Sequence, residues 1–113
     1  MVWQQSMALA VGVYGAVARW PQPHQFGLGA DLRKTVRSIP SNVAEGFNRH
    51  SRASYRYHVA VALGSQGELE TQVELARRLA FLCEADAEHL QARIALVGKL
   101  LHGLWRGLQD KSR

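Results

Sequence analysis

Apolar residues recur at Leu32, Val36, Ile39, Val43 and Phe47, in steps of four, three, four and four. That spacing traces one face of a helix with 3.6 residues per turn. The stripe passes straight through Pro40, which lacks an amide hydrogen and crowds the carbonyl of Val36, one turn back. One helix kinked at Pro40 is therefore expected, with Ser38 or Ser41 placed to satisfy the freed carbonyl. A polar stripe of Ser38, Asn42, Glu45 and Arg49 runs beside the apolar one. Gly46 lies near the expected end of this helix, at Asn48 to His50.

The same pattern predicts three further helices. The first covers about Trp3 to Arg19, with Trp3, Met7, Ala10 or Val11, Tyr14 and Val17 or Ala18 at helical spacing. Trp20 to Gln25, with Pro21 and Pro23, reads as a stiff connection. Ser51 is a good N-cap for a long helix from about Arg52 to Leu82. Its apolar edge is Tyr55, Val59, Ala62, Leu69, Val73, Ala76 and Leu79 or Ala80. The run Gly64-Ser65-Gln66-Gly67 also reads as a loop. Continuous helix is preferred, because Ala62 and Leu69 are two turns apart and keep the phase. Asp86 is the expected N-cap of a last helix reaching about Leu108, with Leu90, Ile94, Val97, Leu101, Leu104 and Leu108 toward the core. Four helices, short connections and no credible strand predict an all-α, antiparallel up-down four-helix bundle, one domain over residues 1–113.

Composition narrows the function. The chain has 113 residues, of which 47% are hydrophobic, enough for one modest core. No run approaches the ~20 apolar residues of a membrane span. The single cysteine, Cys83, excludes an internal disulfide framework and fits a reducing cytoplasm. The formal net charge is +5. From Arg33 to Arg56 stand six cations, Arg33, Lys34, Arg37, Arg49, Arg52 and Arg56, against one acid, Glu45; from Glu68 to Glu88 stand six acids against Arg77 and Arg78. A basic half attracts phosphate or an acidic protein surface. The first helix is the reverse case: no side chain ionises before Arg19. Either its outer side is covered by another subunit, or it is simply an apolar surface helix.

The sequence carries no catalytic constellation. His24, His50, His58, His89 and His102 share no metal-ligand spacing, and the nearest fragment of a helical di-iron pattern is Asp86-x-x-His89. No phosphate-binding glycine loop and no nucleophile elbow is present. No cofactor or metal is expected. Ser38, Asn42 and Glu45 are placed to meet Ser65, Glu68 and Gln72 across two helices. A buried carboxylate there needs Arg33, Arg37 or hydroxyl partners. Such a cluster is either a ligand site or, by preference, a network fixing helix register. Trp3, Trp20 and Trp105 read as packing anchors before nucleobase platforms.

The run Ser38-Ile39-Pro40-Ser41-Asn42-Val43-Ala44-Glu45-Gly46 is the least generic in the chain. With Val13-Tyr14, Trp20-Pro21, Phe26-Gly27-Leu28, Leu32-Arg33, Ala62-Leu63-Gly64-Ser65, Glu68-Leu69-Glu70-Thr71-Gln72 and Ala76, in this order, it resembles the 23S rRNA intervening-sequence proteins. The resemblance spans nearly the whole chain. It implies a cytoplasmic four-helix bundle that assembles as a ring-like homopentamer, with no established enzymatic activity. Some relatives are encoded within insertions in 23S rRNA genes. A related group serves as accessory proteins of diversity-generating retroelements, binding a reverse transcriptase and nucleic acid through a basic surface. The sequence departs from relatives at Gly29-Ala30 and at Gln66-Gly67, where extra glycines weaken local helicity. Five subunits at +5 would carry about +25. The expectation is a non-catalytic oligomer that binds RNA or a ribonucleoprotein through Arg33, Lys34, Arg37, Arg49, Arg52 and Arg56. The alternative is a protein-interaction scaffold without nucleic acid. In either case Ser38, Pro40, Asn42, Glu45, Gly46, Ser65 and Glu68 serve as structure.

Overall fold

The computed structural model describes residues 1–109. Among these it contains five helices and no strand: α1 (Val2–Ala18), α2 (Gln22–Phe26), α3 (Leu28–Asn48), α4 (Arg52–Arg78) and α5 (Glu84–Gly107). The four long helices pack so that α3 and α5 each lie against both α1 and α4, while α2 rests chiefly on α3. The result is elongated, 52 × 21 × 19 Å.

The stripes on three helices fill the core as the pattern predicts. Leu32, Val36, Ile39 and Val43 of α3 are buried, as are Val59, Ala62, Leu69, Val73 and Ala76 of α4 and Leu90, Ile94, Val97 and Leu101 of α5. Each fully buried Val, Leu or Ile stabilises the fold by about 1.5–3 kcal/mol relative to exposure. The stripe on α3 runs out one residue early, because Phe47 remains 65% exposed. On α1 the predicted edge holds at Val17, which is buried, and at Ala10, which packs against the core, and fails at its large residues. The core takes Leu9, Val13, Ala16 and Val17, whereas Trp3, Met7, Val11 and Tyr14 face outward. The one polar group on the inner face, Ser6 Oγ, donates to the Val2 carbonyl at 2.7 Å and so is buried at little cost.

Several boundaries differ from expectation for identifiable reasons. The segment read as a connection forms the extra helix α2: Pro21 is its N-cap and Pro23 lies in its first turn, where a missing amide hydrogen costs nothing. Gln25 Nε2 ties it back to the Trp20 carbonyl at 2.8 Å. The long helix ends at Arg78 rather than Leu82. Its chain reverses through Ala80 at φ 64°, with the Phe81 amide donating to Ala76 O at 2.9 Å and the Ala80 amide to Arg77 O at 3.0 Å. The N-cap of α5 is Cys83, not Asp86; the Asp86 amide donates to Cys83 Sγ at 3.4 Å. Ser51 caps α4 as expected, accepting from the Ser54 amide at 3.2 Å.

Helix α4 is continuous through Gly64 and Gly67, and α3 is helical at Gly29 and Ala30. Gly29 has a packing reason: a Cβ there would lie 2.7 Å from Val17 Cγ1. Gln66 has another. Its Nε2 donates to the Ile94 carbonyl at 3.2 Å, and its amide fills the notch left by Gly98, where a Cβ would stand 2.5 Å from Nε2. Helix α3 also runs unbroken through buried Pro40. The Ser38 hydroxyl does not serve the Val36 carbonyl that the proline frees; it bonds Thr35 O at 2.7 Å.

Candidate nucleic-acid interface

The six predicted cations form two groups, separated by about 18 Å of helix rise between Arg37 and Arg49. In the first half of α3, Arg33 donates to the Gln25 carbonyl at 3.1 Å and Arg37 to Tyr14 Oη at 3.1 Å. Lys34 is exposed. At the corner joining α3 to α4, Arg49 pairs with Glu45 at 2.6 Å, both side chains about half exposed. Arg52 donates to the Gly107 carbonyl and Arg56 to the Leu108 carbonyl, the latter at 3.0 Å. The final carbonyls of a helix have no intrahelical donors and carry its negative dipole end, so two arginines of α4 cap α5. Arg106 adds a further exposed cation in the last turn of α5.

The acids occupy the other end. Arg77 lies between Glu74 at 2.7 Å and Glu84 at 2.9 Å, and Glu74 also accepts from Arg78 at 2.8 Å. Arg19 meets Asp86 at 3.2 Å. Hydrogen bonds from Arg77 and then Arg78 hold the Glu74 carboxyl far below its ordinary value, at about 2. The Arg77 guanidinium is pushed upward by the same Glu74 contact and by Glu84.

The polar residues beside the α3 stripe divide. Ser38 Oγ lies 2.6 Å from Ser65 Oγ. Its single proton goes to Thr35 O, so it accepts from Ser65. Asn42 Nδ2 donates to Ser38 O at 2.8 Å. Ser38, Ser65, Glu68 and Gln72 share the wall of a cavity of about 480 Å³ with Asp31, Lys34 and Thr35. Asn42 and Glu45 do not line it, so the expected Asn42–Glu45–Glu68 cluster does not form. Glu45 points outward to Arg49 because an i, i+4 partner in solvent spares it the cost of burial. Gly46 has a purely steric role: a Cβ there would lie 2.8 Å from His58 Cβ and 3.2 Å from Tyr55 Cα.

Two features escaped the sequence reading. One is a groove of about 570 Å³ between α1 and α3, where Trp3, Met7, Val11 and Tyr14 face Pro40 and Ala44, with Arg37 at its edge. The uncharged character of α1 was its signal. The other is a set of rings at the α3–α4 corner. Phe47 sits edge-on to Tyr55 with centroids 5.9 Å apart, and Tyr57 edge-on to His58 at 5.2 Å. The tryptophans do not offer such rings there: Trp20 is buried, Trp105 packs against the core and Trp3 lies in the groove. Among the described residues no three His, Cys, Asp or Glu side chains gather as a metal-ligand set, and no helix is long and apolar enough to cross a membrane.

Fold and site together define a small all-helical protein whose predicted cations fall in two groups, one in the first half of α3 and one at the α3–α4 corner. The chain belongs to the 23S rRNA-intervening sequence protein family, whose model matches residues 1–103. Its fold is also similar to the 1.70 Å crystal structure of a protein of unknown function from the S23 ribosomal protein family of Bacteroides thetaiotaomicron VPI-5482. The two chains are 22% identical with a TM-score of 0.85, over 94% of this chain and 99% of the other. No curated protein matches.

Proposed function

We propose that this protein is a non-catalytic cytoplasmic homo-oligomer, a pentamer by family resemblance, that binds RNA or a ribonucleoprotein through its basic surface. The observation that carries the reading is the separation of charge along the 52 Å axis. Glu74, Glu84 and Asp86 are bound by arginines at one end, while at the other Arg49, Arg52, Arg56 and Arg106 gather where, among the described residues, one carboxylate, Glu45, binds Arg49. A carbonyl partner engages a guanidinium without cancelling its charge, so Arg52 and Arg56 stay attractive to phosphate.

In this reading the four long helices form an antiparallel up-down bundle bent at Pro40. The pairs Arg52–Gly107, Gln66–Ile94 and Arg77–Glu84 support it, since they step forward along α4 and backward along α5. Subunits join through the groove on α1, whose exposed Trp3, Met7, Val11 and Tyr14 form an apolar patch of the kind that marks an interface. The exposed free thiol of Cys83 suits a reducing compartment.

Filter binding to RNA against salt tests the basic surface. Changing Arg49, Arg52 and Arg56 to glutamine lowers the salt slope by roughly 0.7–0.9 per lost phosphate contact. Absence of binding at low salt, or an unchanged slope, rejects RNA as the partner. Native mass measurement tests the assembly, and Val11→Glu is expected to yield single subunits. The groove also favours the alternative of a protein scaffold, which predicts partner capture that survives nuclease.

A further inference from the structure

The apolar stripe of α3 ends on a ring that the core does not take. Gly46 lets Tyr55 and His58 of α4 close tightly over the helix, and Phe47, the next residue, is left at the rim, 65% exposed. Its ring borders a cavity of about 220 Å³ together with His50, Arg52, Tyr55 and Leu108. Edge-on packing against Tyr55 holds the ring in place and leaves one of its faces open. Among the described residues no carboxylate lines this cavity. Glu45, one turn away along the chain from Arg49, is already bound by it. Arg52 reaches back to the Gly107 carbonyl, which orders its side chain but leaves its charge and most of its five donors unspent. A second ring, Tyr57, is likewise 65% exposed and braced edge-on by His58.

A braced, exposed ring beside the ordered Arg52 guanidinium, in a concavity that no described carboxylate lines, is the arrangement that takes a flat, uncharged π-face attached to an anion. We propose that this corner holds an unpaired nucleotide of single-stranded RNA, its base stacked on Phe47 and its flanking phosphate on Arg52. Duplex RNA presents phosphates but keeps its base faces stacked inside the helix, so it can use the arginines and not the ring. An acidic peptide likewise supplies charge without the π-face. The inference rests on the nucleic-acid reading above and adds strandedness and a stacking residue to it.

The test is fluorescence anisotropy over a series of salt concentrations, with a labelled unstructured 12-nucleotide RNA and a 12-base-pair RNA duplex compared at each ionic strength, on the native protein and three variants. The single strand is expected to bind at least tenfold more tightly than the duplex. Phe47→Leu keeps the fold, since the site is exposed, and weakens single-strand binding about five- to a hundredfold, while duplex binding and the salt slope stay unchanged. Phe47→Trp retains or raises single-strand affinity. Arg52→Gln weakens both RNAs alike and lowers the salt slope. Equal affinity for the two RNAs, indifference to Phe47→Leu, or displacement of the single strand by polyglutamate at equal charge overturns the stacking site and leaves the electrostatic reading standing. Failure of both RNAs to bind at low salt overturns both.

Discussion

At the end where α1 and α4 finish and α5 begins, Arg77 is held between Glu74 and Glu84, and Arg19 meets Asp86. About 38 Å along α4, at the end where α5 finishes, Arg52 and Arg56 donate to the carbonyls of Gly107 and Leu108. Both ends order their arginines by hydrogen bonds. The first neutralises them with carboxylates; at the second, among the described residues, only Arg49 is so paired, with Glu45, and Arg52 and Arg56 end on carbonyls. An ion pair removes a charge from the field of the protein, whereas a carbonyl removes only a donor. Two regions that both hold ordered arginines thus present different surfaces to a polyanion, and the difference lies in the partner rather than in the arginine.

The packing of the two ends offers the sharpest way to break this comparison. Alanine at Gly46 presses on His58 Cβ and the Tyr55 backbone, which yield only if α4 moves. A loss of about 2 kcal/mol is expected by denaturant unfolding. Alanine at Gly29 meets the Val17 side chain at 2.7 Å and the His24 carbonyl of the short helix α2 at 3.1 Å, and since α2 can shift more readily than the long α4, about 1 kcal/mol is expected there. Equal losses would mean that the two ends are equally rigid. A smaller effect of opposite sign is expected at Cys83, where the thiol accepts from the Asp86 amide at 3.4 Å. Serine is the better N-cap, and Cys83→Ser should stabilise the protein by about 0.5 kcal/mol in the same measurement. The smallest effect is the pH dependence of the carboxylate end. Glu74 is depressed from its ordinary 4.5 to about 2 in the folded state. It therefore contributes stability above pH 4.5 that is lost as the pH falls toward 2. The pair is on the surface and screened, so the melting temperature should fall only slightly over that window on its account. Glu74→Gln should remove that part of the fall, and an unchanged profile would deny the carboxylate end its electrostatic character.

Most of the fold was legible because three helices alternate apolar and polar faces clearly. Helix α1 was not legible in orientation. With no ionisable side chain before Arg19, both its faces look like core, and the large Trp3, Met7 and Tyr14 outweigh the smaller Leu9, Val13 and Ala16 that the core takes. Pro21 and Pro23 read as stops because proline ends helices, yet it also begins them, as in α2. The end of α4 carries no glycine signal; Ala80 adopts the left-handed conformation instead. At the candidate site the six cations were legible as a count. Their partners were not: Arg37 ends on a phenol, Arg49 on Glu45, and Arg52 on the carbonyl of Gly107, 55 residues away. Phe47 was misplaced for a local reason: its spacing fits the stripe, but the stripe outlasts the helix partner that would cover it.

The amide of Gln66 seated against Gly98 has a bearing on descent as well as on packing. Neither position can drift by itself, since any side chain at 98 evicts the amide, and a shorter residue at 66 leaves the notch hollow. Related sequences should therefore exchange the two together, a bulkier residue on the last helix accompanying a slighter one opposite, so that the pair is inherited as a single character.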